Sequence, residues 1–149
     1  MVNNRVGIGT TMNLAHKTGK IIMVIAMACI LALPISGIIV IKEEFTPITT
    51  EYLDNQIVVT HTGQELVLPA NHIESVEIIN DLPKTSKIIG TGMENLLKGT
   101  FDVEGYGRCR LYLNPKQPPF LVMTTDEGLI IINANDKVVE KIREQNLLK

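Results

Sequence analysis

The feature that most constrains this chain is a run of 21 residues without a charged side chain, from Ile21 to Ile41. Lys20 precedes the run and Lys42 follows it. At about 1.5 Å per residue, a helix of this length is about 30 Å long, which matches the hydrocarbon core of a bilayer. The run therefore predicts a transmembrane helix at residues 21–41 that tethers the rest of the chain to a membrane.

Three other interpretations of the run fit less well. A buried helix of a soluble protein is usually shorter and carries a polar stripe. A cleaved signal peptide has an apolar region of only about 7–15 residues. A lipid-modified Cys29 would follow its apolar region, whereas most of the apolar residues here come after Cys29. Pro34 is compatible with a kinked membrane helix.

The basic residues on either side of the run predict its orientation. Arg5, Lys17 and Lys20 lie in the N-terminal flank, residues 1–20, whereas Lys42 is the single basic residue close behind the run. Cytoplasmic flanks carry the excess of Lys and Arg. We therefore expect a single-pass protein of the cell membrane, with a cytoplasmic N-terminus and an external C-terminal domain.

The charge of the region after the run limits its partners. Residues 42–149 contain 11 Lys and Arg and all 16 Asp and Glu, a net charge of −5. This charge argues against nucleic acid and against general attraction to anionic lipid. The two cysteines, Cys29 and Cys109, lie in different parts of the chain, so no internal disulfide is expected.

Strand signals fill the region after a linker at residues 42–48, in which Pro47 is expected to stop the helix. About seven short antiparallel strands are predicted, drawn from residues 49–53, 56–60, 65–68, 73–79, 97–103, 106–113, 120–124 and 129–133. Asp54-Asn55 is a hairpin turn signal. The Gly-containing segment 82–92 is expected to be a loop, with Gly90 and Gly92 marking positive φ.

The last part of the chain changes to a helical period. Val138, Val139, Ile142 and Leu147 form an apolar stripe from Asp136 onward, and Asn133 or Asn135 can cap the N-terminus. The predicted fold class is therefore α+β, mainly β. One N-terminal transmembrane helix precedes a bent antiparallel sheet or barrel at residues 49–149, which ends in an amphipathic helix.

Three segments carry a resemblance to a known family. They read IESVEIINDLPKTSKIIGTG, KGTFDVEGYGRCRLYLN and PPFLVMTTDEGLIIINANDKV. Their order of an I-x-S-V strand, Leu-Pro, a Gly-rich loop, G-x-F, Pro-Pro, T-x-D/E-G and Asn before a helix resembles the bacterial pleckstrin-homology (PH) domain family. The resemblance implies a membrane-tethered PH-like β domain and supplies no catalytic residue. Separately, residues 4–17 are similar to a loop of the sporulation-delaying-protein immunity family, from which we derive no function.

The sequence contains no recognisable catalytic or metal-binding pattern. His16, His61 and His72 are far apart, and none has a cysteine or carboxylate at ligand spacing. We therefore expect the histidines to lie at the surface or at strand edges. Motifs for serine hydrolases, thiol redox sites and zinc proteases are missing. No enzyme activity, metal or cofactor is expected.

The best candidate site is an alternating run in one strand. Side chains alternate between the two faces of a strand. If Cys109, Leu111 and Leu113 face the core, then the other face carries a ligand-binding candidate set: Tyr106, Arg108, Arg110 and Tyr112. Arg binds carboxylate or phosphate through two parallel hydrogen bonds, and Tyr adds stacking area.

A structural role for the same arginines is also open. A turn at Gly105-Tyr106-Gly107 would place Glu104 opposite Arg108 and Asp102 opposite Arg110, as ordinary cross-strand ion pairs. A second basic set lies in or beside the Gly-containing loop and consists of Lys84, Lys87 and Lys98. The first strand pair, residues 49–60, has no Lys or Arg, which argues against phosphoinositide-type binding.

Two functions remain from the sequence. The first is a non-enzymatic, membrane-anchored interaction or assembly module that binds a protein partner or a second copy of itself, since one span and one β domain come without catalytic groups. The second is a membrane-tethered sensor that binds an anionic ligand through Arg108 and Arg110.

Overall fold

A 29-residue helix, α1 (Lys17–Phe45), begins the described part of the chain, which is residues 17–144 of a computed structural model. Its apolar window has a mean hydropathy of 2.8, and none of that window is buried by protein. Ile30 and Leu33, for example, are 61% and 70% exposed. The helix is long and apolar enough to cross a membrane. The similarity at residues 4–16 and the predicted helical Leu147 lie outside the described residues.

Helix α1 continues further than the sequence predicts. Lys42 to Phe45, which the sequence assigns to a linker, form the last turn of the helix. Thr46 follows this turn, and its backbone N–H and its hydroxyl both donate to the carbonyl of Lys42, at 3.1 and 2.6 Å. The predicted linker is therefore wrong for its first four residues, 42–45, which are helical. Pro47 stops the helix as expected.

The first three strands form an antiparallel sheet in the order β1-β2-β3. Their bounds are β1 (Thr49–Leu53), β2 (Gln56–His61) and β3 (Gln64–Pro69). The predicted turn is confirmed, since Asp54 and Asn55 both have positive φ, at 48° and 61°, and connect paired strands. A short 3-10 turn, Ala70–His72, leads to the second sheet.

The second sheet has six strands in the order β4-β8-β9-β7-β6-β5. They are β4 (Ile73–Ile79), β5 (Thr85–Gly92), β6 (Leu97–Val103), β7 (Gly107–Leu113), β8 (Phe120–Thr125) and β9 (Gly128–Asn133). The described residues thus contain nine strands, so the expected number of about seven was too low. The two sheets do not close into a single barrel, but they agree with the predicted mainly β fold.

Two features of the second sheet differ from the sequence expectation. Residues 85–92 form strand β5 and are not a loop, because Gly90 lies directly opposite Gly99 of β6 and both have positive φ, at 127° and 131°. The glycines therefore allow two backbones to approach closely within a strand pair. Strand β9 also pairs with β7 in parallel, since the β8–β9 hairpin inserts between β4 and β7, so the sheet is not purely antiparallel.

The six-stranded sheet carries a buried core on each face, although β5 at its edge has no buried residue. One face packs on the three-stranded sheet and on helix α2 (Asp136–Glu144), around a core that includes Ile57, Val76, Ile130, Ile132 and Ile142. The other face holds a second core, which includes Phe101, Leu111, Phe120, Val122 and Ile131. The predicted C-terminal amphipathic helix is confirmed. Asn135 is its cap, because the side-chain Oδ1 accepts the Val138 N–H at 2.8 Å.

Candidate ligand-binding cleft

A cleft of about 440 Å³ lies between the tip of the β2–β3 hairpin and strands β6 and β7. We call it the hairpin cleft and define it by its lining residues: Val59, His61, Gln64, Glu65, Leu66, Lys98, Arg110 and Tyr112. The volume falls within the range of small-molecule sites. Val59 and His61 are its buried lining residues, and Lys98 and Arg110 are partly buried.

Two cations reach the cleft from neighbouring strands. In the β6–β7 pair, Lys98 lies opposite Tyr112 and Thr100 lies opposite Arg110, so Lys98, Arg110 and Tyr112 share one face. The Arg110 Nη1 atom donates to Glu127 Oε2 at 3.1 Å, with the Arg110 side chain 40% exposed. The Lys98 Nζ atom donates to the amide oxygen of Gln64, a neutral acceptor. The cleft therefore holds a lysine charge that no carboxylate neutralises within residues 17–144.

His61 closes the apolar end of the cleft. The sequence predicts that His61 lies at the surface or at a strand edge, but this residue is only 3% exposed. The Nε2 atom lies 3.0 Å from the Glu43 carbonyl oxygen. Because a carbonyl can only accept, Nε2 donates this hydrogen bond, and Nδ1 lies 3.3 Å from the Thr62 hydroxyl oxygen. The ring thereby fastens the last turn of α1 to strand β2.

The structure places only two of the four predicted site residues in the hairpin cleft. Arg110 and Tyr112 line the hairpin cleft, whereas Arg108 is exposed outside it. Tyr106 lies before β7 begins, in a turn where Gly105 and Gly107 have positive φ, so strand alternation does not apply to it. Its hydroxyl donates to Glu77 Oε2 at 3.2 Å, in another pocket of about 380 Å³. Partial burial, and then the Glu77 carboxylate, raise the pKa of Tyr106 above its usual value.

The predicted cross-strand ion pairs have the wrong register. Asp102 lies opposite Arg108, and Thr100 lies opposite Arg110. The hairpin turn lies one residue earlier than expected, at Glu104-Gly105-Tyr106, where the Tyr106 N–H donates to the Val103 carbonyl at 3.0 Å. Each arginine is therefore shifted by two residues relative to β6, and Arg110 pairs instead with Glu127 from the β8–β9 turn.

The sequence placed Lys98 in a loop-associated basic set, and its position in the cleft was missed. Leu97, Phe101 and Val103 are buried on one face of β6, so alternation places Lys98 on the other face. A hairpin centred on Gly105 would have set Lys98 opposite Tyr112. The position of Lys98 could therefore have been predicted from the alternation of buried residues in β6 together with a hairpin turn centred on Gly105.

Two titratable groups outside the cleft, His72 and Cys109, show no sign of a catalytic arrangement. His72 Nδ1 lies 2.8 Å from Asp126 Oδ2, with both side chains about half exposed. Burial, and to a smaller extent the Asp102 charge, raise the pKa of the Cys109 thiol, which therefore stays protonated at neutral pH. Within residues 17–144, no group of three or more His, Cys, Asp or Glu side chains could hold a metal ion.

Comparison with known proteins identifies the β domain. A family model described as "Bacterial PH domain" matches residues 49–145, which is about two thirds of the chain. Searches of curated proteins and of solved structures gave no match. The matched region begins with β1 and covers both sheets and α2. The chain therefore belongs to the bacterial PH domain family, and its PH domain follows a helix that is long and apolar enough to cross a membrane.

Proposed function

We propose that this chain is a non-catalytic, membrane-anchored PH domain that assembles with a second copy of itself through strand β5. The observation that carries the proposal is the unpaired outer edge of β5. Among residues 17–144, the strand lies at one end of the six-stranded sheet and pairs on one side only, with β6. An edge strand presents free N–H and C=O groups that can pair with another strand.

The β5 edge also exposes apolar surface. Ile88 is 51% exposed and Ile89 is 67% exposed, and the two are adjacent where a β-bulge interrupts the pairing with β6. The bulge disturbs the regular alternation of side chains between the two faces of the strand, so both side chains can be exposed. Burying them against a partner would remove apolar area from water, which favours association.

A second copy fits this edge by charge and by symmetry. If two β5 strands pair antiparallel about a point between Ile88 and Ile89, then Lys87 of one copy lies opposite Gly90 of the other. Lys87 is the only charged residue of β5, so this pairing creates no contact between like charges. A two-fold contact of this kind uses both edges and closes on itself.

Membrane anchoring would make a modest contact sufficient. An edge pairing of one short strand is weak for free molecules in solution, but tethering two copies in one membrane raises their effective concentration. The apolar window of α1, none of which is buried by the described part of the chain, supports this anchoring.

We expect the full-length chain in uncharged detergent micelles to be a dimer by size-exclusion chromatography with light scattering. Replacing both Ile88 and Ile89 by Lys should give monomers, because two charges on each edge would repel. Val67→Lys is the matched control, since Val67 is 45% exposed on strand β3 of the other sheet. A monomeric wild type, or a dimer that survives the double substitution, would contradict the proposal.

The anchor and its orientation form a separate prediction. We propose that residues 21–41 span the cell membrane with the N-terminus in the cytoplasm and the PH domain outside. Glu104→Cys in a Cys29→Ser background gives one exposed thiol, since Cys109 is buried and its raised pKa keeps it protonated. An impermeant maleimide should label this cysteine in intact cells. Labelling only after lysis would reverse the orientation, and release of the protein by carbonate would exclude the span.

Anion sensing is a second candidate function, favoured by one observation. Of the two arginines that the sequence proposed, only Arg110 lines the hairpin cleft, where it is joined by Lys98. A sensor that uses Arg108 together with Arg110 has less support, because Arg108 lies outside the cleft.

A further inference from the structure

We propose that the hairpin cleft binds a phosphate-type oxyanion, held between the Lys98 ammonium and the Arg110 guanidinium. This inference does not depend on self-assembly through β5. It rests on which side chains face the cleft, on their remaining hydrogen-bond donors and on the lack of an ion pair to Lys98 among residues 17–144.

The two cations are placed to reach one ligand. Lys98 and Arg110 are diagonal neighbours on β6 and β7, where side-chain bases are about 7–8 Å apart on one face. Both side chains are long, and both residues are partly buried. An oxyanion between them could therefore contact both groups, as Arg and Lys do in phosphate sites.

Both cations keep donors available. The Lys98 ammonium has three N–H donors and spends one on the Gln64 amide oxygen. The Arg110 guanidinium has five, and its hydrogen bond within residues 17–144 goes to Glu127. The Gln64 contact holds Lys98 in position without neutralising it, which is the condition that an anion site needs.

The walls of the cleft support an anion over a cation. Val59, His61, Gln64 and Leu66 share the inward face of the β2–β3 hairpin, because His61 pairs with Gln64 and Val59 with Leu66. Glu65 also lines the cleft, but strand alternation places its side chain on the outer face of the hairpin. Within residues 17–144, the carboxylate that pairs with one of the two cations is Glu127, at 3.1 Å from Arg110.

The apolar residues that line the cleft strengthen these interactions. Val59 is 2% exposed, and Leu66 and Tyr112 pack against the core beneath the cleft. Buried apolar neighbours reduce screening, so a charge-assisted hydrogen bond is stronger beside them than at an open surface. Since the region after the span has a net charge of −5, this local site is expected to take a small oxyanion and not a polyanionic surface.

The direct test uses the full-length chain in uncharged detergent micelles, with inorganic phosphate as the probe. Phosphate should raise the midpoint of thermal unfolding saturably, because a ligand that binds only the folded state stabilises it. Tyrosine fluorescence reports this unfolding, since the chain has three Tyr and no Trp. Lys98→Gln and Arg110→Gln should each weaken the apparent affinity about tenfold or more.

Arg108→Gln is the matched control, because it removes the same charge from the same strand but outside the cleft. It should leave phosphate affinity within about twofold, and Lys98→Arg should retain most of the binding. The proposal is overturned if the wild type shows no saturable shift, or if Arg108→Gln weakens binding as much as Arg110→Gln. The Ile88/Ile89 double variant should bind phosphate normally, which separates this outcome from that of self-assembly.

A second arm identifies the source of the oxyanion. The chain is placed in phosphatidylcholine nanodiscs with or without phosphatidic acid. If the lipid phosphate fills the cleft, phosphatidic acid raises the midpoint in the wild type but not in Lys98→Gln, and added phosphate has little further effect. If the ligand is soluble, phosphate raises the midpoint equally in both kinds of nanodisc.

Discussion

Replacing Gly99 by Ala is expected to destabilise the PH domain by about 3 kcal/mol or more. Gly99 has a φ of 131°, and an added Cβ would lie 2.3 Å from the Ile89 carbonyl oxygen and 2.8 Å from the Gly90 Cα. Both contacts are with backbone, which cannot rotate away. Backbone strain of about 1–3 kcal/mol and overpacking of about 1–3 kcal/mol therefore act together.

Gly128 provides the control for this substitution. Its φ of 120° is close to that of Gly99, but a Cβ there would meet no atom within 4 Å. Gly128→Ala should show the strain alone, at about 1–2 kcal/mol. Tyrosine-detected unfolding in denaturant measures both variants in the full-length chain. Equal losses would mean that β5 and β6 can separate at Gly90 and Gly99 at little cost.

The second large loss of stability is expected from substitution of Asn133, which lies at the end of β9 and is 7% exposed. Its Oδ1 accepts the Asn114 N–H at 2.5 Å, and its Nδ2 donates to the carbonyls of Asn114 and Gln117, at 3.0 and 2.6 Å. Asn133→Asp keeps the size but replaces two donor contacts by a carboxylate that faces two carbonyls. We expect a loss of about 3 kcal/mol at neutral pH, because buried acceptors lose their partners.

The stability loss of Asn133→Asp should depend on pH, and the direction of this dependence can be predicted. A carboxyl that faces carbonyls favours its neutral form, so its pKa in the folded state would lie above the unfolded value. The neutral form can donate one hydrogen bond, so the difference from wild type should shrink as the pH falls toward about 4. Asn135→Asp is the comparison at an exposed position. It keeps the acceptor for Val138 and loses only one donated hydrogen bond, from Nδ2 to the Thr50 carbonyl at 2.7 Å, so the variant should lose about 1 kcal/mol. A constant difference across this pH range would contradict the role of the donors.

Most of the elements could be predicted because their signals are local. The hairpin turn at Asp54-Asn55 needs two residues that tolerate positive φ, and the sequence places them between alternating segments. The helix at residues 136–144 has an apolar stripe and a capping residue. Strand β5 was not predicted because a glycine can mark either a loop or a close approach of two strands. Gly90 considered alone suggests a loop, and the close approach becomes evident only when Gly99 is known to lie opposite.

The candidate site was predicted only in part, and register is the reason. Alternation placed Arg110 and Tyr112 on the correct face of β7, but a turn centred on Tyr106 instead of Gly105 shifted the partner strand by two residues. That shift concealed Lys98, which lies opposite Tyr112. It also suggested ion pairs to β6, whereas the carboxylate that Arg110 contacts belongs to Glu127, 17 residues further along.

The sequence by itself determined the apolar helix, the mainly β character, the family and the absence of a recognised catalytic motif. Each of these depends on residue type and on spacing within one segment. Only the tertiary structure decided that β9 runs parallel to β7, that β5 is an exposed edge and that Lys98 and Arg110 share a cleft with the β2–β3 hairpin. These outcomes depend on which strands become neighbours, and strand order is set by packing among distant segments, which no local pattern records.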